Sequence, residues 1–444
     1  MASSLGAGLY SDIFFIAFKL PNLFRRIFAE GAFTQTFIPA FARSRNKALF
    51  STYIFTLFFG VVVLLGILVT LFPEPATRLI AIGFNEKTIQ IAAPYVAINF
   101  WYLPLIFSVT FLAALLQYRH HFATTAFATS LLNLALIAAL WLSKGLQESQ
   151  IVLYLSYAVL VGGTLQLLLH VVMIKKLGLC KLLTGGFFHF FHKKHLIQSE
   201  IKKFKKEFFP AIWGNSTPQL SAFLDTWLAS FLTLGTISYL YYANRVFQLP
   251  LALFAIATSV ALFPKVSRFL KNAKIEEALF MMKRAFWLLA FVLGASTLVG
   301  VLLSEEIVTL LFQRGAFDAF DAKNTADVLR MYLLGLLPFG LGKLFSLWIY
   351  ASQNQIKAAK IASLALGSNI LFSLLLIFPY GASGLALASS IGGFVSFWLT
   401  LKHFGLKHFL SFLHPRILAL WLLSMTILAI ITLIFKHFIH DYIY

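Results

Sequence analysis

The sequence predicts an all-α, polytopic membrane protein, and three observations support this prediction. Of its 444 residues, 60% are hydrophobic and only 12% are charged, and the mean hydropathy is +0.84. The apolar runs are too long for buried strands: residues 361–401 contain no Asp, Glu, Lys or Arg. The excess positive charge of +20 lies mainly in alternate connections between those runs. This composition excludes an ordinary soluble protein, and the position of the charges argues against a nucleic-acid partner.

Twelve helical spans follow from the apolar runs, with boundaries good to a few residues. The connections between them are mostly short, and the two longest, 175–207 and 265–283, are basic. The predicted spans are 9–42, 49–72, 89–117, 122–143, 151–174, 208–233, 236–264, 284–304, 329–350, 360–379, 383–401 and 417–435.

The distribution of Lys and Arg predicts the orientation in the membrane. Connections on one side carry 24 of the 36 Lys and Arg residues, those on the other side carry 7, and 5 lie within spans. By the positive-inside rule the first side is cytoplasmic. The first span would then enter from the outside, an unusual start that leads us to expect a further helix before it.

An internal repeat predicts two homologous lobes. Four short motifs recur in order, 225 to 234 residues apart. Because both copies run in the same direction, the axis that relates them lies along the membrane normal, as in transporters that hold substrate between two lobes. The motif pairs are Leu20-Pro21 with Leu249-Pro250, Pro39 and Arg43 with Pro264 and Arg268, Leu103-Pro104 with Leu337-Pro338, and Gly162-Gly163 with Gly392-Gly393.

The repeat and the charge distribution together predict four domains. A basic cytoplasmic linker separates the two transmembrane lobes, and one extra transmembrane helix follows the second. The boundaries are 1–178 for the first lobe, 179–206 for the linker, 207–405 for the second lobe and 406–444 for the extra helix.

Three arginines within spans are the strongest candidates for substrate binding. Arg25 and Arg26 lie in the charged first span, and Arg245 lies in the corresponding helix of the second lobe. An arginine at the bilayer centre costs about 2.5–3.5 kcal/mol on the insertion scale. The alternative is that these side chains reach the interface or pair with acids. Because arginine binds phosphate oxygens in a bidentate manner, the arginines predict an anionic, phosphate-bearing substrate.

Two acids of the same first span are further candidates. Glu30 lies one helical turn after Arg26, where it could neutralise that arginine or take part in gating. Asp12 lies near the outer end of the span, where it could cap the helix or accept hydrogen bonds in an outer gate.

A cation site is a weaker prediction. Asp225 is an acid within an apolar span, where carboxylates are costly and often functional. Asn369 and Ser373 lie one turn apart on another span and could supply oxygen ligands for a monovalent cation. Hydrogen bonding between helices is the alternative explanation for that pair.

Enzyme motifs are missing from the sequence. It contains no GxxxxGK[ST] and no GxGxxG before a helix, and no Ser-His-Asp set is recognisable. A membrane enzyme of polyprenyl-phosphate metabolism would need clustered acids or histidines on one leaflet, which we do not find. We therefore expect a protein that is not an enzyme.

Three motifs, FKLPNLFRRIFAEGAFTQTFIP, YYANRVFQLP and LFQRGAFDAFD, resemble the MurJ (MviN) family of lipid II flippases. This family belongs to the multidrug/oligosaccharidyl-lipid/polysaccharide exporter superfamily, and the resemblance extends from about Gly6 to Gly405. It implies two pseudo-symmetric six-helix lobes around a central cavity, with extra C-terminal helices. The family's cavity arginines map onto Arg25, Arg26 and Arg245, and its acidic motif residues map onto Asp12 and Glu30.

The resemblance also implies the function. It implies transport of lipid II, a polyprenyl-diphosphate-linked cell-wall precursor, from the cytoplasmic to the periplasmic leaflet of the inner membrane by alternating access. The alternatives are export of another lipid-linked oligosaccharide, of the O-antigen type, or of drugs. Na⁺ or the membrane potential could drive the cycle, and membrane lipids and other cell-wall synthesis proteins are the other expected partners.

The sequence departs from the family pattern at three points. The family has one more helix before Gly6, so we expect that the family's first helix is missing here, and the sequence predicts only one helix after the second lobe. Ser373 also stands where the family's cation site would have an acid.

Overall fold

The computed structural model describes residues 1–27, 33–187, 194–352 and 354–443. Every regular element within these ranges is a helix, as the sequence predicts. Contacts divide the chain into two compact units, residues Ser3–Phe231 and Leu232–Tyr444.

The described part of the first unit contains eleven α-helices. Several of them are only one to three turns long and connect the long apolar helices. They are α1 Ala2–Leu5, α2 Leu9–Ile27, α3 Phe33–Arg43, α4 Lys47–Leu71, α5 Pro73–Ile80, α6 Glu86–Phe100, α7 Tyr102–Tyr118, α8 Ala123–Leu142, α9 Glu148–Lys176, α10 Lys181–Phe187 and α11 Gln198–Ala229.

In its described residues, the second unit contains nine α-helices and one π-helical segment, Leu251–Ile256, between the first two. The α-helices are α12 Thr236–Pro250, α13 Ala257–Lys271, α14 Ile275–Leu302, α15 Ser304–Phe312, α16 Ala319–Leu334, α17 Leu336–Ala351, α18 Gln355–Phe404, α19 Leu406–Leu410 and α20 Pro415–Ile443.

Nine helical stretches in the described ranges are long and apolar enough to cross a membrane, and three of them join consecutive helices: α6 with α7, α12 with α13, and α16 with α17. They contain ten of the twelve predicted spans, because the 50-residue helix α18 includes two of them. The other two, 9–42 and 208–233, fall on α2, α3 and α11, whose charged residues lower their hydropathy. The prediction of a polytopic membrane protein is confirmed.

Helix α18 is a hairpin of two helices that reverses at Gly381. That residue has φ 55° and ψ −131°, outside the helical region, and glycine adopts such positive φ values without a steric penalty. Gly384 packs against the carbonyl of Leu376, and a Cβ on Gly392 would lie 3.3 Å from Asn369 Cβ. The two halves are therefore antiparallel, as the separate predictions of 360–379 and 383–401 require.

The glycine pairs of the internal repeat lie at equivalent helix crossings in the two units. A Cβ on Gly163 in α9 would lie 2.7 Å from the Tyr102 ring of α7, and one on Gly393 in α18 would lie 2.7 Å from the Phe339 ring of α17. Small residues let membrane helices approach closely, since lipid tails leave van der Waals packing as the main attraction between helices. The repeat therefore reflects a shared packing requirement.

A cluster of phenylalanines forms much of the core of the first unit. Phe37 of α3 stacks on Phe33 with ring centroids 5.0 Å apart and lies 5.2 Å from Phe111 of α7. Phe58 of α4 meets Phe208 of α11 edge to face at 5.1 Å. Each such pair contributes about 0.5–1.5 kcal/mol beyond its buried area, which fixes α3 and α11 against α4 and α7.

The predicted linker 179–206 is largely helical where it is described. It contains α10 and the first residues of α11, whose Glu200 accepts a 2.6 Å hydrogen bond from Ser44. Glu207, on the next turns of α11, pairs with Arg43 at 2.9 Å. Contacts place all of α11 in the first unit. The predicted boundary between residues 206 and 207 follows the sequence repeat instead. The division of the chain into functional domains therefore stays a prediction.

Candidate functional site

Arg25 lies in the last turns of α2, half-buried against an apolar wall. Its Nε donates to Asn22 Oδ1 at 3.1 Å, one turn earlier. Phe58, Leu103 and Phe107 line the small cavity beside it, whose volume of about 10 Å³ is roughly the minimum that holds one water. An apolar wall excludes water and thereby strengthens the attraction of the guanidinium for an anion.

Two predicted residues cannot be placed in the same detail. The backbone of Arg26 belongs to α2, but its side chain lies outside the described part of the structure, and so does the whole of Glu30. Their predicted partnership stays a prediction.

Asp12 is buried in the first turn of α2, with 1% of its surface exposed. The helix begins at Leu9, so Asp12 is not the capping residue, and the N-cap alternative is wrong. The amide of Gly8 instead donates to Ser11 Oγ at 2.8 Å. A carboxylate in the first turn interacts favourably with the helix dipole, and burial at this position leaves the gating alternative open.

Arg245 is exposed on α12 and is oriented by one neighbour on the same helix. Its Nη2 donates to the hydroxyl of Tyr241 at 2.8 Å, and its Cζ lies 4.7 Å from the centre of the Tyr241 ring. Hydrogen bonding and the cation–π contact together restrict the guanidinium, while part of its donor set stays available to an anion.

The predicted cation ligands divide between the two units. Asp225 lies on α11 in the first unit and is half-buried, whereas Asn369 and Ser373 lie in the first half of α18 in the second. Ser373 Oγ donates to Asn369 Oδ1 at 3.1 Å, and both side chains are buried. This bond lies within one helix. The cation site and the alternative of hydrogen bonding between helices both stay predictions.

The sequence interpretation missed Asn22 and Tyr241, the neighbours that orient the two arginines. Asn22 lies three residues before Arg25 and Tyr241 lies four before Arg245, and helix geometry brings residues at these spacings together. A search for polar partners one turn from each arginine would have found both.

Comparison with known proteins decides the family. The family model described as lipid II flippase MurJ matches residues 1–444. The chain is also 51% identical over 419 residues to a probable lipid II flippase MurJ of Helicobacter pylori strain J99, which covers 93% of this chain and 91% of that protein. The chain belongs to the lipid II flippase MurJ family. This membership confirms the resemblance seen in the motifs and the multi-pass location in the inner membrane.

More distant relatives and solved structures agree with this assignment. A probable lipid II flippase MurJ of Aquifex aeolicus is 33% identical over 408 residues, covering 88% of this chain and 76% of the relative. A solved lipid II flippase MurJ in an inward closed conformation matches with a TM-score of 0.80 and 25% identity, covering 100% of this chain and 95% of that one. An inward-facing multidrug MATE transporter matches with a TM-score of 0.67, 13% identity and coverage of 92% and 91%. This last likeness shows a shared fold alone.

Proposed function

We propose that this chain moves lipid II from the cytoplasmic to the periplasmic leaflet by alternating access. The observation that carries the proposal is the match of the MurJ family model to residues 1–444. The 51% identity to the Helicobacter pylori relative supports it. Flippases of this family form a transport class, so we expect the chain to move its substrate without chemical change.

The arginines are proposed to bind the diphosphate of the substrate. The guanidinium of Arg25 lies beside an apolar wall, and that of Arg245 is oriented by Tyr241. A planar guanidinium makes paired hydrogen bonds to phosphate oxygens and keeps its charge throughout the cycle. Arg26 follows Arg25 directly in the sequence and would add a third positive charge.

Two acids are proposed to tune and gate this arginine site. Glu30 would balance part of the charge of Arg26 in the empty carrier, as its one-turn spacing allows. Asp12, buried near the predicted outer end of α2, would accept hydrogen bonds when the outer gate closes.

A monovalent cation is proposed as one source of coupling energy. Asp225 would supply the charged ligand and Asn369 Oδ1 a neutral one, with Ser373 as a further oxygen. Carboxylate and carbonyl oxygens are hard ligands, which suit hard cations better than sulfur ligands do. Other proteins of cell-wall synthesis are proposed as partners on the basis of the substrate alone.

Complementation tests the proposed function. A bacterial strain depleted of its own lipid II flippase should grow when it expresses this chain, and should lyse when it expresses the Arg25→Ala, Arg245→Ala double variant at the same level. A matched control, Arg416→Ala, removes an exposed arginine at the start of α20, outside the family motifs, and should complement fully. Failure of the well-expressed wild-type chain to support growth would contradict the proposal.

A further inference from the structure

The open end of the α18 hairpin contains a basic cleft. It has a volume of about 320 Å³, at the lower end of the range of roughly 300–1,000 Å³ typical of pockets for small organic ligands. It lies between the two halves of the helix, at the end away from Gly381. The first half contributes Lys357, Lys360 and Leu364, and the second half contributes Leu399, Lys402 and His403.

The cleft follows from the sequence spacing on the two antiparallel halves. Lys357, Lys360 and Leu364 are separated by three and four residues and therefore lie on one helical face. On the second half, Lys402 and His403 follow Leu399 by three and four residues and therefore also share one helical face. The reversal at Gly381 brings the two faces together, so four basic side chains surround one space.

The positive charge of this cleft lacks compensation within the described residues. No ion pair there involves any of its three lysines, and the first turn of α18 contains no acid. The dipole of a helix favours anions rather than cations at its N-terminus, so Lys357 and Lys360 add to an already positive end. An anion from outside the chain would relieve this repulsion.

Apolar side chains below the cleft indicate that it borders lipid. Leu364 is 58% exposed and Trp398 is 56% exposed, although both belong to a membrane-spanning helix. The three lysines are exposed, and by the distribution of Lys and Arg they lie on the cytoplasmic side. Basic pockets between helices at this level are suited to anionic lipid headgroups.

We propose that this cleft binds the phosphate-bearing headgroup of an anionic phospholipid, such as phosphatidylglycerol, from the cytoplasmic leaflet. The lysines bind the phosphate oxygens as point charges, and Leu364 and Leu399 contact the first methylenes of an acyl chain. The cleft lies on the outer, lipid-bordering face of one hairpin and is too small for a disaccharide-pentapeptide. Lipid binding here is independent of the proposed transport activity and would hold for any substrate.

Native mass spectrometry of the full-length chain tests the proposal. The purified protein is titrated in detergent with phosphatidylglycerol or with phosphatidylcholine of the same acyl chains. We expect the wild type to prefer phosphatidylglycerol by about tenfold or more, and the Lys357→Gln, Lys360→Gln, Lys402→Gln variant to lose that preference, since each lysine near a membrane surface contributes roughly fivefold. A wild type that binds the two lipids equally would overturn the proposal.

A matched variant controls for total charge. Lys265, Lys271 and Lys274 are exposed on the same side of the second unit but lie outside the cleft. Changing all three to Gln removes the same charge and should leave the lipid preference within about twofold of wild type. An equal loss of the phosphatidylglycerol preference in this control would show that the preference reflects net charge alone. That result would overturn the proposed lipid site.

Two further arms identify the ligand. Inorganic phosphate at millimolar concentration should not displace phosphatidylglycerol, and the cleft variant should bind lipid II as the wild type does. Displacement by phosphate, or a parallel loss of lipid II binding, would assign the cleft to another ligand. If the triple variant does not fold, Lys402→Gln should weaken the lipid preference about fivefold while Lys402→Arg retains it.

Discussion

Arg245 is exposed at the surface of α12, yet its guanidinium has a defined position. The hydroxyl and the ring of Tyr241 both contact it, at 2.8 Å and 4.7 Å. At exposed sites a cation–π contact contributes only about 0.5–1 kcal/mol, so the pair orients the arginine more than it stabilises the fold. Arg25 is oriented in a similar way by Asn22.

Replacing Arg245 should weaken substrate binding in a graded manner. Arg245→Ala removes charge-assisted hydrogen bonds of about 1.5–3 kcal/mol, which corresponds to roughly 10- to 100-fold weaker lipid II binding. Arg245→Lys keeps the charge but lacks the planar guanidinium that makes paired hydrogen bonds, so its loss of affinity for lipid II should be intermediate. Tyr241→Phe should weaken lipid II binding only a few-fold, because the arginine itself is kept. Binding of lipid II to purified variants checks this order, and equal affinity of wild type and Arg245→Ala would contradict the assigned role.

Asp225 should account for any dependence on Na⁺. Transport or thermal stability is measured against Na⁺ at fixed ionic strength, with choline as the replacement cation. Asp225→Asn should abolish the response, because it removes the charged ligand. Ser373→Ala should weaken it only modestly, since the hydroxyl is bonded to Asn369 Oδ1 at 3.1 Å. A wild-type Na⁺ response that survives Asp225→Asn would show that the site is wrong.

At the residue scale, the sequence identifies the charged residues but not their surroundings. Charges within apolar spans are conspicuous because each is costly in a bilayer, which is how Arg25, Arg245 and Asp225 were found. The burial of Asp12 within α2 depends on where that helix begins, and helix ends are poorly defined by apolar runs. The N-cap alternative for Asp12 was wrong for this reason.

Helix crossings in the two units depend on equivalent glycines. Gly163 packs against Tyr102 and Gly393 against Phe339, each closely enough that a Cβ would come within 2.7 Å of the ring. The ring would have to move, and neighbouring helices would move with it, because packed interiors contain few voids.

Gly393→Ala should therefore destabilise the protein, whereas Gly367→Ala should not. Overpacking typically costs about 1–3 kcal/mol. Nothing lies within 4 Å of a Cβ placed on Gly367 of the same helix, and alanine is about 1 kcal/mol better than glycine in a helix interior. Thermal unfolding in detergent should show a lower midpoint for the first variant and an unchanged or higher midpoint for the second. Equal midpoints would contradict the proposed crossing.

At the element scale, apolar length and the glycine and proline positions predict most of the helices. Where their residues are described, the predicted spans fall almost entirely on helices, and the break between 360–379 and 383–401 coincides with Gly381. Helix α10 and the start of α11 lie outside the predicted membrane spans, because α10 is only seven residues long and the start of α11 is rich in lysine. Their positions depend on tertiary contacts such as that between Ser44 and Glu200.

The whole molecule consists of two units whose internal packing repeats. The repeat predicted two lobes running in the same direction, and the equivalent crossings of α9 with α7 and of α18 with α17 support it. Contacts group α11 with the first unit through Phe208 and the ion pair of Glu207 with Arg43, whereas the domain boundary that follows from the motifs stays a prediction. Neither contact has a signature in the local sequence.

The membrane potential should reset the empty carrier. Arg25, Arg26, Arg245 and Glu30 carry a combined charge of about +2, which a diphosphate of about −2 cancels. An empty site that crosses part of the field would gain about 1–4 kcal/mol per 100 mV toward the negative interior, enough to shift the population at least about fivefold. Arg245→Lys should keep this response and Arg245→Ala should reduce it.

Cysteine accessibility measures that response. In a Cys180→Ser background, a cysteine replacing the exposed Gln35 of α3 is labelled from the cytoplasmic side before and after the potential is collapsed. The labelling rate should change, whereas a cysteine at Asn272, in an exposed connection, should react equally in both states. An unchanged rate at position 35 would contradict potential-driven reset and leave the family assignment intact.

Translocation of lipid II by the purified chain tests the central claim most directly. Vesicles contain lipid II with a fluorescent headgroup on both leaflets, and a membrane-impermeant reductant is added outside. With the wild-type chain, the protected inner-leaflet fluorescence should be lost, and with the Arg25→Ala, Arg245→Ala variant the rate should fall by about tenfold or more. A wild-type rate no faster than that of protein-free vesicles would contradict the account.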